Sequence, residues 1–362
     1  ALINCSPTMF EKNPTDMRVV LALIPDAAEI LTQLLEGSHS VIAGRLAGAF
    51  RNIGQNRIAD EIVLTMKMAG FDVRETNPFK NKLPIKLSFR ERSPYANRIK
   101  IMWEEHRKTI IEHFPDSPGP AKNDEAYLNA VDQMYVTDAY HSLSIEKYNV
   151  SVELIEKVRR GGWQPEENKT DRDQKDAMAA RGYWQATQAV KNSIKKILGG
   201  ANPGTIADQD HTVWYRQLFA SSVTVGILKP ADLAGYRTTQ VYISQSQYVP
   251  PNKSAVRDAL PILFGLLQHE SNPGVRAVLG HFIFVYIHPY MDGNGRMARF
   301  LMNLMLASGG YPWTVIPVEE RKTYMGSLEK ASVDGDIRPF TIFISTLVKE
   351  SLKGTPIAKL IT

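Results

Sequence analysis

The stretch His288–Arg299, HPYMDGNGRMAR, separates two apolar segments that have helical periodicity. One Pro, two Gly and one Asn in this stretch disfavour a continuous helix and make a tight connection. The same connection carries four ionisable side chains, His288, Asp292, Arg296 and Arg299. Most loops between helices have no such concentration of reactive groups. The stretch therefore predicts a functional site carried by a helical scaffold.

The segments on either side fix the local structure of this loop. GVRAVLGHFIFVYI, residues 274–287, is apolar on nearly every side and predicts a buried central helix. Pro289 disfavours the α conformation at His288, so this helix ends there. RMARFLMNLMLASGG, which begins at Arg296, predicts the next helix, with Arg296 and Arg299 in its first turn.

The start of that second helix has the features of a phosphate-binding site. Gly293 and Gly295 let backbone N–H groups converge, because no Cβ obstructs them. A helix N-terminus also carries roughly half a positive charge, which favours bound anions. Arg296 and Arg299 add planar, bidentate donors for phosphate oxygens.

The acidic residue and the histidine extend this interpretation to catalysis. Asp292 would be repelled by a phosphate unless a hard cation lay between them, and Mg²⁺ is held in this way by one carboxylate, phosphate oxygens and water. His288 has an ordinary pKa of about 6.5 and can accept a proton near neutrality. Together these groups predict attack on a nucleotide phosphate. An EF-hand is excluded by Arg296 and Met297, and a P-loop is excluded because GK[ST] is missing.

His288–Arg299 resembles the signature of the Fic family, H-x-F-x-[DE]-G-N-G-R-x-x-R, with Tyr290 in place of the usual Phe. The resemblance implies a mainly α, Fic-type helical core that transfers AMP from ATP to a Ser, Thr or Tyr hydroxyl of a protein. It implies that His288 deprotonates the acceptor, that Asp292 binds Mg²⁺ and that Arg299 binds the γ-phosphate. The remaining phosphate contacts are implied for Gly293, Asn294, Gly295 and Arg296. Transfer of another nucleotide or of phosphocholine is an alternative.

One segment departs from the helical period. GYRTTQVYISQSQYVPPN, residues 235–252, has alternating β-branched and aromatic residues and predicts a β-hairpin. The resemblance implies that this hairpin is a flap that docks the target protein as an added strand, through Val241, Tyr242 and Ile243. A hairpin that only packs on the helices is the alternative.

YHSLSIEKYN, residues 140–149, indicates a second functional element. Ser142 and Glu146 are spaced i,i+4 and share one face of a helix. The segment resembles the Fic inhibitory motif [ST]-x-x-x-E-[GN], which implies a class II, self-inhibited member with an inhibitory helix at about 138–148. Glu146 would pair with Arg299 and occupy the γ-phosphate position, and the same carboxylate implies removal of AMP in reverse. Lys147 replaces the usual Gly or Asn, at a cost of roughly 1 kcal/mol if it is left-handed. A solvated Glu146 is the alternative.

The rest of the chain divides into three parts: an N-terminal module of residues 1–94 that is α or α+β, a core of residues 95–350, and a tail of residues 351–362. In the module, two helices around NIGQN (Asn52–Asn56) precede a predicted strand, FDVRE, from Phe71. A DNA-binding regulator that uses Arg45, Arg51 and Arg57, with the Fic core as a nucleotide sensor, is an alternative function, and a plain helical hairpin is the other interpretation of this module. Helices are predicted in the core at 97–113, 123–141, 151–160, 172–198, 208–219, 254–270, 273–287, 295–308 and 339–353.

Composition limits the class of protein. The charge is +5 with a pI near 9.0, a mild basic excess consistent with an acidic or phosphorylated ligand, and the resemblance implies ATP. Cys5 is the only cysteine, which excludes a disulfide framework. No apolar run approaches the roughly 20 residues that span a bilayer, and the first residues lack the pattern of a signal peptide. We therefore expect a cytoplasmic protein with no membrane partner. The resemblance implies that it acts on a protein target or on itself.

Overall fold

A computed structural model describes residues 2–24, 27–81, 94–121, 124–162, 171–224 and 235–360. Within these ranges the chain is mainly helical and no residue lies in a β-strand, which confirms the predicted mainly α class. The chain forms two units, residues 1–105 and 106–362. The functional assignment of residues 1–94, 95–350 and 351–362 stays a prediction. Over the same ranges, no helix combines the length and the apolar character needed to cross a membrane.

The first unit is built from short helices around a single apolar core, to which Phe10, Leu46, Phe50 and Ile62 contribute. A 3₁₀ turn, Leu2–Asn4, precedes them. The helices are α1 (Pro7–Lys12), α2 (Pro14–Ala22), α3 (Ala28–Glu36), α4 (Ser40–Asn52), α5 (Asn56–Met68) and the start of α6 (Pro94–His113). The predicted break at NIGQN is confirmed between α4 and α5.

The predicted strand FDVRE is wrong for the described residues. This segment runs extended along α4 instead of pairing with a strand, and the N–H of Thr76 donates to the carbonyl of Gly44 at 3.1 Å. The approach is close, since a Cβ on Gly44 would lie 2.0 Å from the carbonyl oxygen of Arg74. Glycine on α4 therefore lets a helix face, rather than a neighbouring strand, receive this backbone.

The second unit contains the remaining helices. They are the end of α6 and then α7 (Asp124–Ile145), α8 (Val152–Arg159), α9 (Asp171–Leu198), α10 (Pro203–Thr224), α11 (Lys253–His269), α12 (Pro273–Ile287), α13 (Asn294–Ala307), α14 (Arg321–Glu329) and α15 (Arg338–Leu352). Every helix predicted in this region is present, and α14 was not predicted. A π-helical turn, Lys330–Asp334, follows α14.

Two close helix pairs carry the site. α12 is buried along nearly its whole length and packs against α13, so the loop between them is held by the core. α9 packs closely on α10, because a Cβ on Gly182 would lie 2.0 Å from the carbonyl oxygen of Leu218. The loop 288–293 thus leaves a rigid apolar core and returns to it.

The predicted β-hairpin at 235–252 is wrong, since none of these described residues forms a strand. Side chains, rather than a ladder, bind the backbone here. The amide of Gln240 donates to the carbonyls of Val241 (3.2 Å) and Pro250 (2.9 Å). Pro250 and Pro251 have no N–H to offer a partner strand. We call residues 235–252 the docking segment.

Candidate active site

His288 sits at the end of α12 in a left-handed conformation, with φ 52° and ψ 60°. Its N–H donates to the carbonyl of Phe284 at 3.0 Å, and its own carbonyl accepts from Nε of Arg237 at 2.8 Å. A left-handed conformation is costly for a residue other than glycine, and it persists where the surroundings impose it. The helix therefore ends at His288, as the sequence His288-Pro289 predicts.

The hydrogen bond made by the imidazole defines its chemistry. Nδ1 of His288 lies 3.3 Å from the carbonyl oxygen of Val285, which can only accept, so Nδ1 carries the proton. Nε2 is then the nitrogen with a lone pair. Burial lowers the pKa of His288 to about 4, so the ring is neutral at physiological pH. A neutral imidazole with Nε2 as acceptor can serve as a general base.

Arg237 organises the loop and was not identified from the sequence. This side chain is buried, and its guanidinium donates to the carbonyls of His288 (2.8 Å), Thr239 (3.1 Å) and Pro251. Its backbone N–H donates to the carbonyl of Pro289 at 2.9 Å. Arg237 thus ties both ends of the docking segment to the catalytic loop. No local pattern in the sequence distinguishes it from a surface arginine.

The middle of the loop is closed by Tyr290 and Asn294. The amide of Asn294 accepts from the N–H of Tyr290 and donates to its carbonyl, both at 2.9 Å. The ring of Tyr290 is fully buried and stacks on Tyr215, with centroids 3.8 Å apart. The side chain of Asn294 therefore shapes the loop. Its predicted phosphate contact stays a prediction.

Gly293 and Asp292 form the last turn before α13. Gly293 has φ 80°, and a Cβ there would lie 2.8 Å from the ring of Phe219, so glycine is required on two counts. The Asp292 side chain is 65% exposed. Its Oδ1 accepts from the N–H of Gly293 at 2.6 Å, and its Oδ2 accepts from Arg296 at 3.2 Å. The carboxylate is therefore oriented by its neighbours while it faces solvent.

Both arginines of the first turn of α13 are buried, with Arg296 1% and Arg299 3% exposed. The guanidinium of Arg296 lies between the rings of Tyr148 (5.1 Å) and Phe219 (5.0 Å). Nε of Arg296 and Nη1 of Arg299 have no hydrogen-bond partner in the part of the chain that the structure describes. Buried donors of this kind favour a bound anion, because an unpaired buried donor is costly.

The structure brings the predicted inhibitory residues to Arg299. Nη2 of Arg299 lies 2.8 Å from Oε1 of Glu146, and Nε donates to the hydroxyl of Ser142 at 2.7 Å. Nη2 also donates to the carbonyl of Ser142 at 3.1 Å. A Cβ on Gly295 would lie 2.4 Å from the Glu146 carboxylate oxygen. Glu146 therefore stands directly against the first turn of α13.

The charges of this pair stabilise each other. Burial by itself would raise the pKa of Glu146, but Arg299, Arg296 and Arg321 together hold it below its usual value. Burial by itself would lower the pKa of Arg299, but Glu146, with two tyrosines nearby, holds it above its usual value. Both groups are therefore charged at neutral pH. The side chain of Glu146 keeps 26% exposure, so the contact is an ion pair at the wall of a cavity.

Lys147 ends the inhibitory helix in the conformation that its motif position implies. Its φ is 69°, in the left-handed region. The N–H of Tyr148 donates to the carbonyl of Leu143 at 3.1 Å, and the N–H of Lys147 donates to that of Ser144 at 2.9 Å. These two bonds form a Schellman motif. The backbone that Gly or Asn usually provides is present, although lysine occupies the position.

A cavity of about 260 Å³ opens beside Glu146. Its lining residues are Glu146, Lys147, Tyr148, Asn149, Lys175, Asp176 and Asp292. Small-molecule sites usually have volumes of about 300–1,000 Å³. This cavity is therefore slightly smaller than the usual range.

The predicted docking residues lie on the irregular docking segment. Tyr242 is 76% exposed, and Val241 and Ile243 are half-buried. Glu329 on α14 accepts from the backbone N–H of Gln247 at 2.6 Å. Hydrogen bonds from α14 and Arg237 therefore fix the segment without a β-ladder, and its predicted role in target binding stays a prediction.

In the first unit, Arg45 and Arg51, which were proposed for DNA binding, make internal contacts. Arg45 donates to the carbonyl of Cys5 at 2.8 Å. Arg51 pairs with Glu75 and with Asp60, each at 2.7 Å. These contacts reduce the charge available to a phosphate backbone. The DNA-binding alternative stays a prediction with less support.

Comparison with known proteins finds similar sequences in the region of this site. Residues 209–306 match the sequence profile of the Fic/DOC family. Protein adenylyltransferase fic-1 of Caenorhabditis elegans is 35% identical over 133 residues, which cover 36% of this chain and 26% of the relative. Protein adenylyltransferase Fic of Culex quinquefasciatus is 28% identical over 235 residues, which cover 63% of this chain and 43% of the relative. The similarity to the Fic/DOC family thus lies in the region of the site, and the matches cover less than half the length of these relatives.

The fold is also similar to a solved structure. Fic-1 from C. elegans superposes with a TM-score of 0.52 and 20% sequence identity, over 91% of both chains. At this identity the likeness concerns the fold. It agrees with the helical core described above.

Proposed function

We propose that this protein is a self-inhibited protein adenylyltransferase, which transfers AMP from ATP to a hydroxyl group of a protein. The observation that carries the proposal is the position of Glu146. A carboxylate stands against the N-terminus of α13 and pairs with Arg299 at 2.8 Å, where an anion is favoured by the helix dipole and by buried donors. In this proposal, Glu146 occupies the place of a nucleotide phosphate.

The donors around α13 suit the phosphates of ATP. The backbone of Gly293, Asn294 and Gly295 leads into the first turn, where N–H groups lack intrahelical partners. Arg296 and Arg299 each keep one buried N–H group that has no partner among the described residues. Arg299 would bind the γ-phosphate once Glu146 leaves, and Arg296 would bind the phosphates nearer the sugar.

Mg²⁺ fits the residues present. Asp292 offers oxygen ligands, is exposed, and is oriented by Gly293 and Arg296. No cluster of three or more His, Cys, Asp or Glu that could hold a metal occurs among the described residues, so phosphate oxygens and water would complete the coordination. The ion would neutralise charge on the α- and β-phosphates.

His288 would act as the general base. The acceptor hydroxyl oxygen attacks the α-phosphorus of ATP, and its proton passes to Nε2 of His288. The bond between the α-phosphorus and the oxygen bridging to the β-phosphate breaks, and pyrophosphate leaves. The product is an AMP ester of the protein hydroxyl. The hydrogen bond from Nδ1 to the carbonyl of Val285 leaves the lone pair of Nε2 available to accept this proton.

Inhibition follows from competition for Arg299. A population shift to about 99% inhibited molecules needs only about 2.7 kcal/mol, which is within reach of one partly buried ion pair. The same site would also remove AMP from the modified protein by hydrolysis, with Glu146 positioning the attacking water.

The docking segment would position the target. Its start is joined to the catalytic loop by the bond from the N–H of Arg237 to the carbonyl of Pro289, at 2.9 Å. Val241, Tyr242 and Ile243 would contact a target polypeptide through backbone groups and through the exposed ring of Tyr242.

The test is parallel incubation of the Glu146→Gly variant with Mg²⁺ and ATP labelled at the α- or the γ-phosphate. Label is expected on the protein from the α-position alone and is expected to disappear in Glu146→Gly/His288→Ala. Label from the γ-position would indicate phosphorylation instead. Equal labelling without His288 would overturn its assigned role, and competition by unlabelled GTP, CTP and UTP identifies the preferred donor.

A further inference from the structure

The end of the inhibitory helix is bound from outside the catalytic loop by Arg321. Nε of Arg321, the first residue of α14, donates to the carbonyl of Ile145 at 2.8 Å. Ile145 is the last residue of α7 and directly precedes Glu146. The last carbonyls of a helix have no intrahelical partner and accept from other donors.

All four terminal carbonyls of α7 are accounted for. Ser142 accepts from Arg299, and Leu143 and Ser144 accept from the backbone N–H groups of Tyr148 and Lys147. The carbonyl of Ile145 accepts from Arg321. Arg299 donates one of these four hydrogen bonds, and backbone N–H groups just after the helix donate two. The fourth comes from Arg321 of α14.

Arg321 is itself held in place by the core. One turn further along α14, the buried hydroxyl of Tyr324 lies 2.9 Å from Nε2 of His281 on α12. This contact fixes the position of α14 on the core. The guanidinium of Arg321 is therefore presented to the end of α7 by a packed helix, in a position where a cation also stabilises the helix dipole.

We propose that Arg321 is a positioning residue for Glu146, and this inference rests on the proposed self-inhibition. By binding the carbonyl of Ile145, Arg321 fixes the backbone that directs the Glu146 carboxylate at Arg299. Without this bond the end of α7 frays, and Glu146 leaves Arg299 more often. Arg321 takes part in regulation and does not touch the reacting atoms.

The test is a double-mutant cycle on α-phosphate labelling with Arg321→Ala, Glu146→Gly and the combined variant. Arg321→Ala is expected to raise the initial rate about three- to tenfold, the effect of one hydrogen bond of ordinary net strength. In the Glu146→Gly background, Arg321→Ala is expected to change nothing. Arg321→Lys should restore part of the inhibition, and Lys322→Ala, at the neighbouring exposed cation, should leave the rate unchanged.

An equal loss of rate in both backgrounds would show a merely structural role and would overturn the proposal, as would an unchanged rate in Arg321→Ala. A second readout does not need activity. Hydrogen exchange at the amides of Lys147 and Tyr148, which close the helix end, is expected to be faster in Arg321→Ala. Unchanged exchange would reject the positioning role, whereas absence of labelling in Glu146→Gly would reject the proposed function alone.

Discussion

Oε1 of Glu146 lies 2.8 Å from Nη2 of Arg299, so the last turn of the inhibitory helix is joined to the first turn of α13 by a charged hydrogen bond. Each residue has a second anchor. Arg299 also binds Ser142, and the backbone of Glu146 belongs to a Schellman motif that ends at Tyr148. In the proposed self-inhibition, this arrangement is the alternative to a nucleotide-bound one, and few hydrogen bonds hold it.

Lys147→Gly is expected to strengthen this arrangement. Lysine at φ 69° carries the left-handed penalty, which glycine removes, while glycine costs some entropy in the unfolded chain. The free energy of unfolding should rise by about 0.5–1 kcal/mol, and the labelling rate should fall about two- to fivefold. Chemical denaturation and initial rates measure both, with Lys147→Asn as an intermediate. A faster enzyme in Lys147→Gly would contradict the account.

Tyr290→Phe is expected to be harmless or stabilising. The hydroxyl of Tyr290 is buried and has no partner among the described residues, so its removal costs no hydrogen bond. The free energy of unfolding should stay constant or rise by up to about 1 kcal/mol. Tyr127→Phe is the control, because the Tyr127 hydroxyl donates to the carbonyl of Tyr311 at 2.7 Å and its loss should cost about 1 kcal/mol. A lower free energy of unfolding in Tyr290→Phe than in wild type would show that the hydroxyl forms a hydrogen bond.

Arg237→Ala is expected to reduce stability and abolish labelling together. The substitution leaves the carbonyls of His288, Thr239 and Pro251 without their donor, at about 3 kcal/mol or more in total. Arg237→Lys should recover only part of the stability and of the labelling, because an ammonium lacks the planar fork of donors that reaches several carbonyls. Arg257→Ala, at an exposed arginine of α11, should change stability by less than about 0.5 kcal/mol. Normal activity in Arg237→Ala would remove this residue from the site.

The labelling rate should be insensitive to pH near neutrality. Burial lowers the pKa of His288 to about 4, so the imidazole is already neutral and able to accept a proton well below pH 7. Between about pH 4 and 6.5 the unfolded chain binds a proton that the folded ring does not. The contribution to stability is therefore complete above this window and is lost as pH falls through it. The kcat/KM of Glu146→Gly for ATP, which reports pKa values of the free enzyme, should be flat from about pH 6 to 8. If this value instead fell to half near pH 6.5, the base would have the ordinary pKa of a solvent-exposed histidine.

The sequence was informative where function depends on neighbouring residues. The loop from His288 to Arg299 and the i,i+4 pair Ser142 and Glu146 are local patterns. The contact of Glu146 with Arg299 joins these two distant segments, and only the family resemblance implied it. Most of the helices were also predictable, because their apolar repeat continues over several turns.

Contacts between distant segments were not predictable in the same way. Arg237 and Arg321 act on carbonyls 51 and 176 residues away, and no spacing rule connects them. The hairpin prediction failed because alternation within residues 241–243 looks like a strand, whereas Gln240, Arg237 and Glu329 bind the backbone that a ladder would use. α14 was missed because nine residues with mixed polarity give little periodic signal.

The most direct test is the initial rate of AMP incorporation from α-labelled ATP in wild type and in Glu146→Gly, with Glu125→Gly as the control. Glu125 is an exposed carboxylate at the other end of α7, so its replacement introduces glycine in the same helix without touching Arg299. The account predicts a rate at least about tenfold higher in Glu146→Gly and a rate near wild type in Glu125→Gly. Equal rates in all three proteins would contradict the claim that Glu146 holds the nucleotide site closed.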